Sequence, residues 1–173
     1  MNKRAHLICN AHIDPVWLWQ RPEGAATAVS TFRIAADFCE EFDGFVFNHN
    51  EALLYEWVEE FEPALFARIQ RLVKEGKWHI MGGWYLQPDC NMPAGESFIR
   101  QIMAGRTYFE EKFGQRPTTA ISFDAFGHSR GLVQILSKSG YDSYLITRPN
   151  RGFLPLPAED FVWVGYDGSE VMV

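Results

Sequence analysis

The chain has 173 residues, is 47% hydrophobic and carries a formal net charge of −6. That is enough apolar material for one globular domain with a real core, and it argues against disorder. Its 16 Lys and Arg do not cluster, which excludes a phosphate-tracking surface and with it nucleic acid as an expected partner.

Along the chain, "HLICNAH" (6–12) is a short apolar run with the length of a buried strand. Segment 25–42 repeats apolar residues at helical spacing through Val29, Phe32, Ile34, Ala35, Phe38 and Phe42. "GFVFNHN" (44–50) predicts a second strand. Residues 51–75 predict a helix with Leu54, Val58, Phe61, Leu65, Ile69 and Leu72 on one face, restarted at Pro63 and stopped by Gly76. "WHIMGGWYL" (78–86) predicts strand three, and a polar loop leads to a helix over 94–113 with Ile99, Ile102, Met103 and Phe109 inward. Residues 118–127 predict strand four and 130–139 a short helix. "SYLITR", "FVWVGY" and "VMV" read as further strands. Alternation of this kind predicts an α/β fold with parallel strands, either a barrel or an open sheet.

Three cysteines, Cys9, Cys39 and Cys90, fit no zinc-ribbon spacing and are expected as free thiols of a reducing compartment. Lys3 and Arg4 lead into no secretory leader, and no apolar stretch is long enough to span a membrane. A cytoplasmic location and no membrane partner are therefore expected. "GSEVMV" stops inside a strand-like run, so residues 1–173 are expected to be the N-terminal part of a longer protein. Open strand edges would then favour self-association of the isolated piece, a homo-oligomer included.

Polar residues gather where the predicted strands end: His12 and Asp14, then His49, Asn50 and Glu51, then Asp89, Asp124 and Arg148. The carboxyl ends of strands carry the site in α/β folds. His12 and Asp14 are two apart, so in extended backbone they point the same way. They suit either a divalent metal or a hydrogen-bonded strand end. Asp124 in "SFDAFGHS" suits either a metal or the cap of the following helix. Together the three make an N,O,O set with room for an open position, as catalytic zinc sites have. Trp17 and Phe126 are candidate stacking faces for a sugar ring, with core packing as the alternative. Arg148 is placed to grip a carboxylate and keep it ionised, or else lies on the surface. His79 and His128 have no partner legible in the sequence. No phosphate-cradling glycine loop or serine-hydrolase elbow is present.

Four stretches, "HIDPVWLW", "GKWHIMGGWYLQPDCNMPAGESFIRQ", "SFDAFGHS" and "LSKSGYDSYLITRP", resemble in order the N-terminal catalytic region of glycoside hydrolase family 38, the class II α-mannosidases. The resemblance covers roughly residues 6–150. It implies a β/α barrel of about seven parallel strands, incomplete in this chain, and a retaining α-mannosidase with one Zn²⁺ acting on mannosides or oligosaccharides. By the same resemblance His12, Asp14 and Asp124 are metal ligands, Asp124 is also the nucleophile, Trp17 and Phe126 bind substrate, and Arg148 orients Asp124. The family's fourth ligand, a histidine, and its acid/base aspartate cannot be placed within these residues. "FNHN" departs from the family's glutamine- or glutamate-containing segments. Two other readings compete: a metal-dependent deacetylase-like enzyme, and a non-catalytic carbohydrate-binding fragment.

Overall fold

The computed structural model describes residues 4–148, 156 and 158–173; Lys3 and residues 149 and 150 of the resembling region lie outside the described residues. The fold is mixed α/β. Helices α1 (Arg21–Glu41), α2 (Ala52–Phe61), α3 (Pro63–Lys74), α4 (Gly95–Phe113) and α5 (Gly131–Lys138) alternate with strands β1 (Phe47–His49), β2 (Trp78–Ile80), β3 (Thr119–Ser122), β4 (Ser143–Ile146), β5 (Val162–Val164) and β6 (Glu170–Met172). The chain divides into two compact units, Met1–His49 with Leu54–Ile80, and Asn50–Leu53 with Met81–Val173.

In the first unit β1 and β2 pair in parallel, Phe47 opposite Trp78 and His49 opposite Ile80. The expected first strand is reduced to one parallel bridge, Cys9 to Phe47. A single bridge covers little surface, so Leu7 is 90% exposed and the expectation of a buried strand is corrected. Helix α1 starts one turn earlier than predicted, with Pro22 in its first turn, where a missing N–H costs nothing. Its buried face is Ala25, Ala28, Phe32, Ala35, Ala36 and Cys39, while Ile34, Phe38 and Phe42 stay exposed. Small residues let the helix lie close to its neighbours, which a search for large apolar side chains does not detect. Pro63 divides the next helical run as predicted, and Gly76, at φ 73°, carries the turn after α3.

In the second unit β3, β4, β6 and β5 form one sheet in that order. β3 and β4 run parallel with Ser122 opposite Ile146, and α5 lies between them in the chain. β5 and β6 are antiparallel, which corrects the expectation of parallel strands throughout. The cause is the turn "GYDGS": Gly165 donates its N–H to the Ser169 carbonyl at 2.8 Å, and Gly168 takes φ 81°. An Asp-Gly turn reverses the chain within a few residues, too few for a crossover helix. Helix α4 buries Phe98, Ile102, Gly105, Arg106 and Phe109, so Ile102 and Phe109 face inward as expected while Ile99 and Met103 are exposed. The core of this unit joins Trp84, Phe98, Leu132, Val133, Leu136, Tyr141 and Tyr144. Buried Arg106 donates through its two terminal nitrogens to the backbone carbonyls of Ser139 and Pro117 and lies 3.8 Å over the Tyr141 ring.

Candidate active site

The first unit presents the "HIDPVW" turn. The chain leaves its bridge at Cys9, and the ring of buried His49 meets the Ala11 carbonyl at 2.8 Å. His49 also packs on Phe32 at 4.8 Å, so this strand-end histidine is a core residue. Beyond it Ile13 is buried, and its neighbours His12 and Asp14 emerge on the opposite side, as the two-residue period requires. His12 Nε2 and Asp14 Oδ1 lie 3.3 Å apart. Zinc bonds of about 2.0–2.2 Å in a tetrahedron leave ligand atoms about 3.3–3.6 Å from one another, so this pair has the spacing of one tetrahedral edge. The donor types fit the ion as well.

The turn is braced from behind. Trp19 donates its indole N–H to the Asp14 carbonyl at 3.0 Å and meets Trp17 edge-on at 5.3 Å between ring centres. Trp17 itself is 67% exposed. Gly24 of α1 lies so close that a Cβ there would stand 1.9 Å from the Pro15 carbonyl oxygen. Glycine is required at this approach, and the sequence gives no sign of it because the contact is nonlocal.

The second unit presents Asp124. It lies two residues beyond Ser122, and Arg148 lies two residues beyond Ile146, the pair that closes the β3–β4 ladder. Equal overhang from parallel, in-register strands brings the two to the same edge. Arg148 Nη2 and Asp124 Oδ1 are 2.5 Å apart, and the guanidinium lies 5.8 Å from the Phe126 ring centre. Phe126 is 86% exposed, an available aromatic face. Asp124 adopts φ 57°, the left-handed region, which L-residues enter at a cost.

What holds that backbone is a set of residues to which the sequence reading gave no role. The Gln87 side chain accepts the Phe123 N–H at 2.7 Å and donates to the Phe123 carbonyl, so one amide clamps both backbone groups next to Asp124. The Gln87 N–H in turn donates to Glu51 Oε1 at 3.0 Å. Glu51 is 2% exposed and is the other non-glycine residue with positive φ among the described residues, at 71°. Asp89, by contrast, accepts the N–H groups of Asn91 and Met92 at 2.8 and 2.9 Å and shapes its own turn. His79 meets Asn48 Oδ1 at 3.2 Å. The three cysteines carry free thiols, as expected.

Strand-end carboxylates beside exposed aromatic rings belong, in this chain, to a glycoside hydrolase domain. The chain is a member of glycosyl hydrolase family 38: that family's N-terminal domain matches residues 2–173. It is 32% identical over 170 residues to "Alpha-mannosidase G" of Dictyostelium discoideum, covering 98% of this chain and 16% of that protein. It is 31% identical over 169 residues to "Alpha-mannosidase 2C1" of Homo sapiens, covering 97% of this chain and 16% of that protein. The chain thus spans about one sixth of the length of these curated relatives. The crystal structure of an alpha-mannosidase from Enterococcus faecalis V583 shares the fold with a TM-score of 0.85 at 18% identity, over 95% of this chain and 19% of that one. Among the described residues no helix is long and apolar enough to cross a membrane.

Proposed function

We propose that these residues are the N-terminal part of the catalytic β/α barrel, of about seven strands, of a retaining α-mannosidase that removes terminal α-linked mannose from oligosaccharides. The observation that carries the reading is Asp124: a carboxylate at the end of β3, in a left-handed backbone conformation and gripped by Arg148 at 2.5 Å. Backbone strain at a gripped, accessible carboxylate is what a nucleophile held in one orientation requires.

Retaining hydrolysis uses two carboxyl groups about 5–5.5 Å apart. Asp124 attacks the anomeric carbon as the glycosidic C–O bond breaks. The leaving oxygen takes its proton from an acid supplied by residues beyond 173. Water then cleaves the glycosyl–Asp124 ester with the stereochemistry of the substrate. Arg148 keeps Asp124 aimed, and Trp17 and Phe126 stack on the apolar face of the mannose. His12, Asp14 and Asp124 are the residues that would hold a zinc ion, and bound there it would anchor sugar hydroxyls and favour ring distortion. Three free thiols suit a reducing compartment, and we place the protein in the cytoplasm.

The test is an assay of the complete protein with zinc on a chromogenic α-mannoside beside an acetylated oligosaccharide. The expected result is release of the aglycone with α-mannose as the first product, and no acetate. Acetate without aglycone would identify a deacetylase. Sugar binding with neither product would identify a non-catalytic module.

A further inference from the structure

His128 belongs to the "DAFGHS" stretch, yet nothing in the reading above uses it. Its ring is half-buried in the second unit, 2.9 Å from Tyr144 Oη through Nδ1 and on the Arg148 carbonyl through Nε2. A carbonyl oxygen only accepts, so Nε2 carries the proton. In the neutral ring Nδ1 is then a lone pair that takes the Tyr144 O–H. Tyr144 is 1% exposed, and its hydroxyl also meets Cys90 Sγ at 3.4 Å, which lies 3.5 Å from Ser122 Oγ. The ring is thus fixed from a buried polar cluster on one side and grips backbone on the other.

The gripped backbone is the part that needs holding. The β3–β4 ladder ends at Ser122 and Ile146, so Arg148 lies beyond its support. The Arg148 side chain is 53% exposed and yet makes the 2.5 Å contact to Asp124. A long, rotamer-rich side chain in water is aimed only as well as its backbone is fixed. We propose that His128, set in its Nε2–H tautomer by Tyr144, is a positioning residue that fixes the Arg148 backbone and through it the orientation of Asp124. This rests on the reading of Asp124 as nucleophile.

The electrostatics agree with a grip that outlasts changes of charge. Burial pushes the Tyr144 phenol well up, so it stays protonated and able to donate. Burial opposes the His128 imidazolium, but Cys90 and the Arg148 carbonyl outweigh it and raise the ring above its ordinary value. Burial likewise opposes the Cys90 thiolate, and His128, Tyr144 and Ser122 outweigh it and draw the thiol down. A second proton on His128 goes to Nδ1, so Nε2–H remains on the Arg148 carbonyl in either state.

The test is a double-mutant cycle in the complete enzyme, read as kcat and KM on a chromogenic α-mannoside. His128→Ala should lower kcat by about 100-fold with KM nearly unchanged, the scale of a misplaced reacting group. His128→Gln, whose amide N–H reaches toward the same carbonyl, should recover most of it. In an Arg148→Ala background His128→Ala should cost less than about twofold more. Equal losses in both backgrounds, or an unchanged kcat for His128→Ala, would overturn the inference. Where His128→Ala does not fold, Tyr144→Phe removes only the hydroxyl and enters the same cycle with the same criterion. The ¹⁵N signals of the His128 ring give a readout free of activity: a proton on Nε2 supports the inference, and a neutral ring protonated on Nδ1 overturns it. A wild-type enzyme that keeps the Nε2–H signal but turns over no mannoside refutes the proposed function and, with it, the inference that His128 serves a nucleophile. An active enzyme with an additive cycle refutes the His128 role alone.

Discussion

Asp124→Ala in the complete enzyme should lower kcat on an α-mannoside by about 10⁴-fold or more, the scale seen when a covalent nucleophile is removed. The expectation follows from three features that meet at one residue. Asp124 overhangs the β3–β4 ladder by two residues, it holds φ 57°, and its Oδ1 lies 2.5 Å from Arg148. Asp124→Asn separates the roles of shape and charge. It keeps the volume and tolerates the left-handed conformation, so the fold should survive while turnover is lost. Asp89 is the matching control, because its carboxylate is spent on the N–H groups of Asn91 and Met92. Asp89→Asn retains that turn chemistry and should leave kcat within about threefold of the parent, as surface changes do. Near-normal turnover by Asp124→Ala would remove the nucleophile assignment.

The second large effect is expected at Gly24, a residue that touches no substrate. On helix propensity alone Gly24→Ala should stabilise α1 by about 1 kcal/mol. The approach of α1 to the "HIDPVW" turn reverses the sign. An added Cβ would lie 1.9 Å from the Pro15 carbonyl oxygen and 2.8 Å from its carbon, and backbone cannot swing aside as a side-chain tip can. Overpacking of this kind costs about 1–3 kcal/mol or more, so the substitution should destabilise. Its functional effect should be sharper than its effect on stability. Pro15 follows Asp14 directly, and pushing it moves the carboxylate that stands 3.3 Å from His12. Zinc affinity should fall about 10–100-fold, as it does when support behind a ligand is lost. A denaturant melt and a zinc titration of Gly24→Ala measure the two effects. Gly44→Ala, where nothing lies within 4 Å, is the control and should change neither. A Gly24→Ala protein with unchanged melting and unchanged zinc binding would show that the turn is not braced by this contact.

The elements legible in the sequence were those with local causes. Pro63 restarts a helix because it lacks an N–H, and Gly76 carries the turn after α3 at φ 73° because it lacks a Cβ. Both effects are written in single residues. What the sequence hid is nonlocal. Ile99 and Met103 have the spacing of a buried face, but the face α4 buries runs through Gly105, where an added Cβ would meet the backbone of Gly83, Trp84 and Tyr85 at 2.3–2.4 Å. Close backbone approach, and not side-chain size, sets that helix's orientation. The antiparallel β5–β6 pair follows from its Asp-Gly turn, a local signal in the sequence that the expectation of parallel strands throughout leaves out of account. The site divides the same way. His12, Asp14, Asp124 and Arg148 stand at strand ends and could be named from position. Glu51 shares that strand-end position, but its role and those of Gln87 and His128 could not be read, because each acts through a backbone group far away in the chain, on Gln87, Phe123 and Arg148 respectively.

The proposed mannosidase chemistry requires a zinc ion held by His12, Asp14 and Asp124. Anomalous scattering at the zinc edge, from crystals of the complete enzyme, tests it most directly. One peak is expected, bounded by His12 Nε2, Asp14 Oδ1 and a carboxylate oxygen of Asp124. A peak that leaves out Asp124, or no peak in zinc-loaded protein that hydrolyses mannosides, would contradict it.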